Sequence, residues 1–261
     1  MMAKQRRRML TRVLLGILLI FNSASLLAQQ EESAEAILLP VEDPFLVHSR
    51  INFVYNNSVA EGQEGTQQLL INPVLGLDEH STLQFSTAMV WYQPGNTGNL
   101  YGQGFGDFFM QYFRRFETSQ NTSHGLAVNV AFDTAANNLG GGATTLGGGY
   151  GFEFKPDDDN KLVAIVGYSH SMGQTTPGDP TRSLAVRFQG YHYFDSAYAG
   201  FELRNQFNLF SGAYQPFAIF SVGGEVVDGL QLWGSFRLPL NAQARDNNDR
   251  INYSIGITLP L

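Results

Sequence analysis

Cysteine is absent from this chain, which excludes a disulfide scaffold, a thiolate metal site and a cysteine nucleophile. Charge is scarce: Asp, Glu, Lys and Arg make up 15% of residues, against ~25% in ordinary soluble domains. Cations are scarcer still once the N-terminus is set aside. Five of the 16 (Lys4, Arg6, Arg7, Arg8 and Arg12) lie in the first 28 residues, which leaves 11 cations against 23 acids, a net charge of −12. A nucleic-acid binder needs a basic face to neutralise phosphates, so that class is excluded. Beyond Phe21 no run is long and apolar enough for a spanning helix, so a place in a membrane would have to be taken by strands. No repeat of fixed period points to a propeller or solenoid. What the chain has instead is glycine (28) and aromatic residues, Phe (20) above all. Its 261 residues suit one β-barrel domain, since such barrels run to ~200–250 residues.

The N-terminus has the layout of a cleaved secretory signal peptide, placed at residues 1–28. A basic stretch is followed by the apolar run Val13–Phe21 and then by small residues, Ser23, Ala24, Ser25 and Ala28. Cleavage after Ala24, Ser25 or Ala28 fits this layout. Residues 29–44 carry five acids (Glu31, Glu32, Glu35, Glu42 and Asp43) and read as an acidic periplasmic leader. Residues 45–261 are expected to form the barrel.

From Phe45 onward the apolar period is two. In the last segment Ile251, Tyr253, Ile255, Ile257, Leu259 and Leu261 share one face, with Asn252, Ser254, Gly256 and Thr258 on the other. This is a strand with one greasy and one small polar face. Twelve such segments are expected, near 46–56, 67–77, 81–93, 104–117, 123–134, 143–155, 160–172, 182–194, 197–209, 214–227, 228–240 and 250–261. Each is ~10–13 residues, the length of a tilted strand crossing a bilayer. Connections alternate between tight turns (Asp78–His80, Ser196-Ala197, Asp228-Gly229) and longer loops; only the ninth, near Ser211–Ala213, breaks the rule. The reading is all-β: a transmembrane up-and-down antiparallel β-barrel of about 12 strands in the cell outer membrane.

A two-residue turn at Ser196-Ala197 would pair Asp195 with Tyr198. Arg187, Gln189 and Tyr191 then share a face with Gln206, Arg204 and Glu202, so the polar sets coincide. A turn at Asp228-Gly229 pairs Val227 with Leu230 and puts Glu225 on the apolar face; either the loop has three residues or Glu225 sits low enough to reach the headgroups.

A soluble barrel would turn its apolar face inward. Two features favour lipid outside instead. The polar face carries charges of both signs, with Arg50, Asp107, Arg115, Asp133, Glu153, Arg187, Glu202, Arg204 and Arg237 as candidates to line the lumen. Aromatics gather toward segment ends (Tyr55, Trp91, Tyr92, Phe116, Phe152, Phe154, Tyr193, Phe194, Phe210 and Tyr214), as two interfacial girdles would require. Asp107 is open to two roles, an internal ion pair or loop anchor, or a contact to solute.

The alternating apolar residues that end at Leu261 resemble the assembly signal of outer-membrane proteins. That likeness implies the barrel-assembly machinery as a transient partner. The segment Gly104-Phe-Gly-Asp-Phe-Phe-Met-Gln-Tyr-Phe-Arg-Arg-Phe116 resembles the outer-membrane transporter family named for the phenol-degradation meta-pathway (MetA-pathway). The strand, Gly-rich loop and Gly-rich strand that follow, to about residue 172, have a similar layout. Where that family carries a Pro-Thr-Gly-Asp turn, this chain has Asp133–Asn138. The resemblance implies a barrel passing small, often hydrophobic, organic molecules.

Enzymatic chemistry finds little support. Ser169-His170-Ser171-Met172 invites comparison with outer-membrane phospholipases, but His170 and Ser171 are adjacent and so point to opposite faces, whereas a nucleophile and its base must share one. Asp157–Asn160 lacks the downstream Gly and Glu of a calcium loop. Gly140–Gly142 and Gly147–Gly149 lack the Lys-Ser/Thr of a phosphate loop. No cofactor or metal is expected. The partners expected are outer-membrane lipid and a small-molecule solute. The expected function is a non-enzymatic channel for small organic solutes through a polar, charge-lined lumen. The alternatives are a non-conducting structural or adhesive barrel and, less favoured, a lipid-modifying enzyme.

Overall fold

The structure, a computed structural model, describes residues 43–59, 67–92, 104–135, 143–172, 182–227, 229–242, 244 and 251–261, with the backbone alone at 58, 59, 91, 92 and 251. The signal peptide, most of the acidic leader, the loop Gly140–Gly142 and the side chains of Trp91 and Tyr92 lie outside the described residues.

Thirteen strands are formed: β1 (Arg50–Val59), β2 (Gln67–Asp78), β3 (Ser81–Tyr92), β4 (Gly104–Phe105), β5 (Phe108–Ser119), β6 (Thr122–Phe132), β7 (Thr144–Phe154), β8 (Asn160–Met172), β9 (Arg182–Tyr193), β10 (Ala197–Asn208), β11 (Tyr214–Val227), β12 (Leu230–Pro239) and β13 (Ile251–Pro260). The two-residue β4 and β5 both pair with β3, with a one-residue slip at Gly106-Asp107. They are one wall strand interrupted by a bulge, so the wall has twelve staves. Every pairing is antiparallel between chain neighbours, and β1 pairs with β13, which closes the barrel and leaves no free edge.

The greasy face looks outward. Val128 is 65% exposed and Ile255 57%, with Leu126, Phe188 and Val222 also exposed. Asn52, Thr258, Glu153 and Glu202 are buried inside. A surface of this kind is stable only against hydrocarbon, and the barrel is an outer-membrane one. The turns joining β2–β3, β5–β6, β7–β8, β9–β10 and β11–β12 are short and lie at the end that also holds Arg50 and Pro260. Short turns mark the periplasmic end.

Local differences from expectation have physical causes. Tyr193, not Asp195, pairs with Tyr198. The turn takes in Phe194–Ala197, closed by Phe194 N–H donating to Ala197 O at 2.7 Å. A shift of two residues preserves every face but changes the partners: Arg187 meets Arg204 and Gln189 meets Glu202, where the expected register would have set Arg187 against Gln206 and Gln189 against Arg204. Val227 pairs with Leu230, but a bulge between Glu225 and Val227 returns Glu225 to the inner side, opposite Gln231. Gly229 there has φ +76°, a left-handed conformation that glycine adopts without strain. Tyr193 does not join a girdle: it packs inside against Tyr191 and Tyr198. Phe116, Phe152, Phe154, Phe194, Phe210 and Tyr214 are exposed near strand ends, where amphipathic and aromatic rings favour the interface.

The largest difference is at the start. Residues 46–49, expected in the first strand, are not in the wall. The segment Asp43–Ser49 reaches into the lower lumen, and the first strand begins at Arg50.

Candidate functional site: the barrel lumen

The lumen has two halves of different construction. The periplasmic half is packed. Phe45 is 1% exposed and meets the ring of Phe113 edge-on at 5.2 Å. It fits because two facing wall residues, Gly125 and Gly151, are paired across β6 and β7. A Cβ on Gly151 would lie 3.0 Å from the Phe45 ring, closer than ordinary contact, so a larger residue would press the ring from its place. Val54, Val163, Tyr191, Tyr198 and Trp233 complete an apolar core inside the barrel. Three of those aromatics lie over glycines on neighbouring strands: Tyr191 over Gly200, Tyr198 over Gly223, Trp233 over Gly256. Alternating large and absent side chains let the rings fill the interior without crowding the wall. Burying Phe45 contributes about 1.5–3 kcal/mol, and its edge-on contact about 0.5–1.5 kcal/mol more.

An ion network ties this strap to the wall. Lys161 Nζ lies 2.5 Å from Asp43 Oδ2 and also pairs with Glu153. Arg115 Nη2 donates to Glu153 Oε1 at 2.9 Å and to Ser123 Oγ. Asp43, Glu153, Lys161 and Arg115 thus balance two charges of each sign. Asp43 Oδ1 accepts from Phe45 N–H, and Arg50 Nη1 donates to the carbonyls of Leu46 and His48 at 3.1 Å each. Ser49 Oγ accepts from Gly76 N–H. His48 is held below the usual imidazole range, chiefly by burial and then by the charge of Arg50.

The extracellular half is more polar, although Phe217 and Ile219 are buried on its inner wall. Its inward side chains include Gln84, Ser86, Gln111, Asn129, Thr145, Ser169, Ser171, Gln206 and Ser254, none of them fully buried. Charge here sits on one wall. Glu202 accepts from Arg187 Nε (2.8 Å), Arg187 Nη2 (2.9 Å), Gln189 Nε2 (2.8 Å) and Arg204 Nε (2.6 Å). Arg237 on β12 lies over the Phe217 ring at 4.7 Å, with the Asn252 amide oxygen turned to accept from it.

The nine candidate lumen residues therefore fall into three groups. Arg50, Arg115 and Glu153 build the lower network, and Arg187, Glu202, Arg204 and Arg237 form the upper wall. Asp107 and Asp133 are at the extracellular rim. Asp107 Oδ1 accepts from Thr134 N–H and Ala135 N–H at 3.1 Å each and so anchors the end of β6, while Asp133 stands exposed just past that strand. Sequence reasoning missed Lys161, read Asp43 as part of the leader, and placed Gln189 on the polar face without naming it among the lumen candidates. Lys161 has the inward parity of Val163 and Ile165, which is the signal that could have found it.

His170 stands on the outer face of β8, while Ser171 points inward and hydrogen-bonds Thr145 at 2.8 Å. In the turn after β7, Asp157 Oδ1 accepts from Asp159 N–H and Asn160 Nδ2, which occupies that carboxylate in shaping the turn.

No family model matches the chain, and no curated protein does. Solved structures resemble it closely in fold. An outer-membrane channel of the COG4313 group from Pseudomonas putida F1 superposes with a TM-score of 0.68 at 13% identity, covering 89% of this chain and all of that one. The KdgM porin gives 0.59 at 8% identity, covering 81% of this chain and 99% of the porin. The NanC porin gives 0.58 at 11%, covering 82% of this chain and all of the porin. At these identities the likeness is one of architecture: this chain has the fold of outer-membrane channel and porin barrels.

Proposed function

We propose that this protein is an outer-membrane channel that admits small organic solutes through its polar, charge-lined upper lumen. The observation that carries this reading is the way the lower lumen is closed. A segment of the chain's own N-terminus, Asp43–Ser49, fills it through one ring and one ion network, so a path opens when that segment leaves. The solved neighbours support the reading, because proteins of this architecture include outer-membrane channels and porins. The Gly104–Phe116 segment supports a finer placement, near the phenol-degradation meta-pathway transporters. No catalytic step is assigned, since His170 and Ser171 stand on opposite faces.

The second reading is a non-conducting structural barrel, favoured by the balanced and buried network around Glu153. Planar-bilayer recording of the refolded protein separates the two. A channel gives discrete current steps that become longer or larger when Phe45→Ala weakens the seal. A plugged barrel gives none with either protein. Uptake of sugars against aromatic acids by liposomes holding the protein then identifies the solute class.

A further inference from the structure

A wall that faces hydrocarbon has little use for charge, and among the described residues the strand cations take the inward parity with two exceptions. Arg182 stands at the extracellular end of β9. Arg114 is on β5 between Phe113 and Arg115, which point inward, so it shares the outer face with Tyr112 and Phe116, and all three are exposed. Its level on the wall is fixed by its pairing with Ser81, the first residue of β3 after the short periplasmic turn. A cation on the lipid face costs most at the midplane and little near the interface, and a residue level with a turn is at the interface. The Tyr112 hydroxyl donates to Ser81 Oγ at 3.3 Å and is itself hydrogen-bonded by Arg114. The guanidinium carbon lies 5.7 Å from the centre of the Phe116 ring. Asp78 attracts Arg114, but its Oδ1 accepts from His80 N–H at 2.8 Å and its Oδ2 from Ser81 Oγ at 3.2 Å, which engages it in shaping the turn. A guanidinium has five N–H donors, and one phenol oxygen takes two at most.

A second donor stands beside it. His124 on β6 pairs directly with Phe116, while Arg114 pairs with Leu126, so His124 is the diagonal neighbour of Arg114, about 7 Å away. Its Nδ1 meets the Tyr150 hydroxyl, and its ring lies edge-on to Phe152 at 5.4 Å. A hydroxyl that donates to Nδ1 leaves the ring proton on Nε2, so Tyr150 holds the imidazole in place with a donor to spare. Toward the midplane the same face of β6 is aliphatic: Leu126 and Val128 are exposed. The surface thus offers two donors among aromatic rings at the interface and bare hydrocarbon next to them. Rings of this kind favour the headgroup level, a guanidinium fork matches a phosphate through paired hydrogen bonds, and basic groups at a membrane surface attract anionic lipid. We propose that Arg114 and His124 hold the phosphate of an anionic glycerophospholipid of the periplasmic leaflet, with its acyl chains along Leu126 and Val128. The site faces away from the lumen and stands whether or not the barrel conducts.

The test is native mass spectrometry of the refolded, detergent-solubilised protein, titrated with dioleoyl phosphatidylglycerol or dioleoyl phosphatidylcholine. One phosphatidylglycerol binds about five-fold more tightly than phosphatidylcholine, and excess inorganic phosphate does not displace it. Arg114→Gln loses that preference, and Arg114→Lys, which keeps the charge and loses the fork, retains part of it. His124→Leu also weakens phosphatidylglycerol, and it tests the site even if Arg114→Gln does not fold; circular dichroism reports folding of each variant. Arg182→Gln, at the other end of the wall, leaves the preference unchanged. Equal binding of the two lipids by the unaltered protein overturns the proposal. So does an unchanged preference in a folded Arg114→Gln or His124→Leu protein, or an equal loss in Arg182→Gln, which would mark a general effect of charge. Displacement of phosphatidylglycerol by inorganic phosphate would mark a site for the free anion and overturns the lipid assignment.

Discussion

The two halves of the lumen share the same twelve staves and differ in what fills them. Below, rings sit in spaces left by glycine, and two carboxylates meet two cations out of water. Above, amides and hydroxyls pair across neighbouring strands at partly exposed positions, and one carboxylate, Glu202, gathers Arg187, Arg204 and Gln189 on one wall. The wall fixes only which side chains point inward. Whether those side chains touch is set by their size and by the seven-residue strap. A barrel can thus be core-like at one end and cup-like at the other without any change of backbone.

Substitutions that separate the halves should differ most at Lys161. Lys161→Met leaves Asp43 and Glu153 buried without their shared cation and should cost about 3–5 kcal/mol, as removal of one partner of a buried pair does. The neutral swap Gln111→Met in the upper half should stay within about 0.5 kcal/mol. Denaturant unfolding in lipid vesicles measures both. Equal costs would erase the distinction.

A contrast across the wall, outside against inside, comes next. Val128→Arg puts a cation into hydrocarbon and should cost about 2–4 kcal/mol near the midplane. Gln111→Arg, facing the chamber, should cost far less in the same assay.

Gly151→Val sharpens the comparison from within the lower half. Its side chain would occupy the place of the Phe45 ring, and overpacking of this kind costs about 1–3 kcal/mol. The matching change at Ser169, Ser169→Val in the upper half, should cost less and leave the strap docked. Protease cleavage near residue 45 reports the strap directly.

The smallest effect is that of pH. The docked strap holds His48 below the ordinary imidazole value, so the neutral ring docks more tightly than the charged one. As pH falls from about 7.5 through the ordinary imidazole range, the released strap takes up a proton that the docked one refuses, and docking weakens. Cleavage of the strap should therefore quicken between about pH 7 and pH 5. His48→Gln should flatten that rise.

Much of this was legible in the sequence because one rule, alternation of period two, governs every stave. Twelve segments, their faces and the short-turn end follow from it. Features that depend on turn geometry do not. The two-residue shift at Tyr193–Tyr198 and the bulge after Glu225 are decided by backbone hydrogen bonds in the turns, which leave no mark on the alternation. The strap was misread for a related reason. Phe45 and Val47 alternate with Leu46 and His48 as a strand would, and only the pairing of Gly125 with Gly151 reveals the space that takes Phe45 out of the wall. Of the nine candidate lumen residues, three are in the lower network and four are on the upper wall. Asp107 and Asp133 kept the parity of their strand, but the strand had ended by the time the chain reached Asp133, and Asp107 lies in a bulge.

The absence of cysteine allows the division of the lumen to be tested on single-cysteine variants. Ser86→Cys places a thiol in the upper chamber and Val163→Cys one in the lower core. A charged, membrane-impermeant thiol reagent added outside vesicles holding the barrel in native orientation should modify Ser86→Cys rapidly and leave Val163→Cys protected, and deletion of residues 43–48 should remove that protection. Equal labelling of both positions in the full mature chain, or protection of Val163→Cys that persists without the strap, would contradict the account.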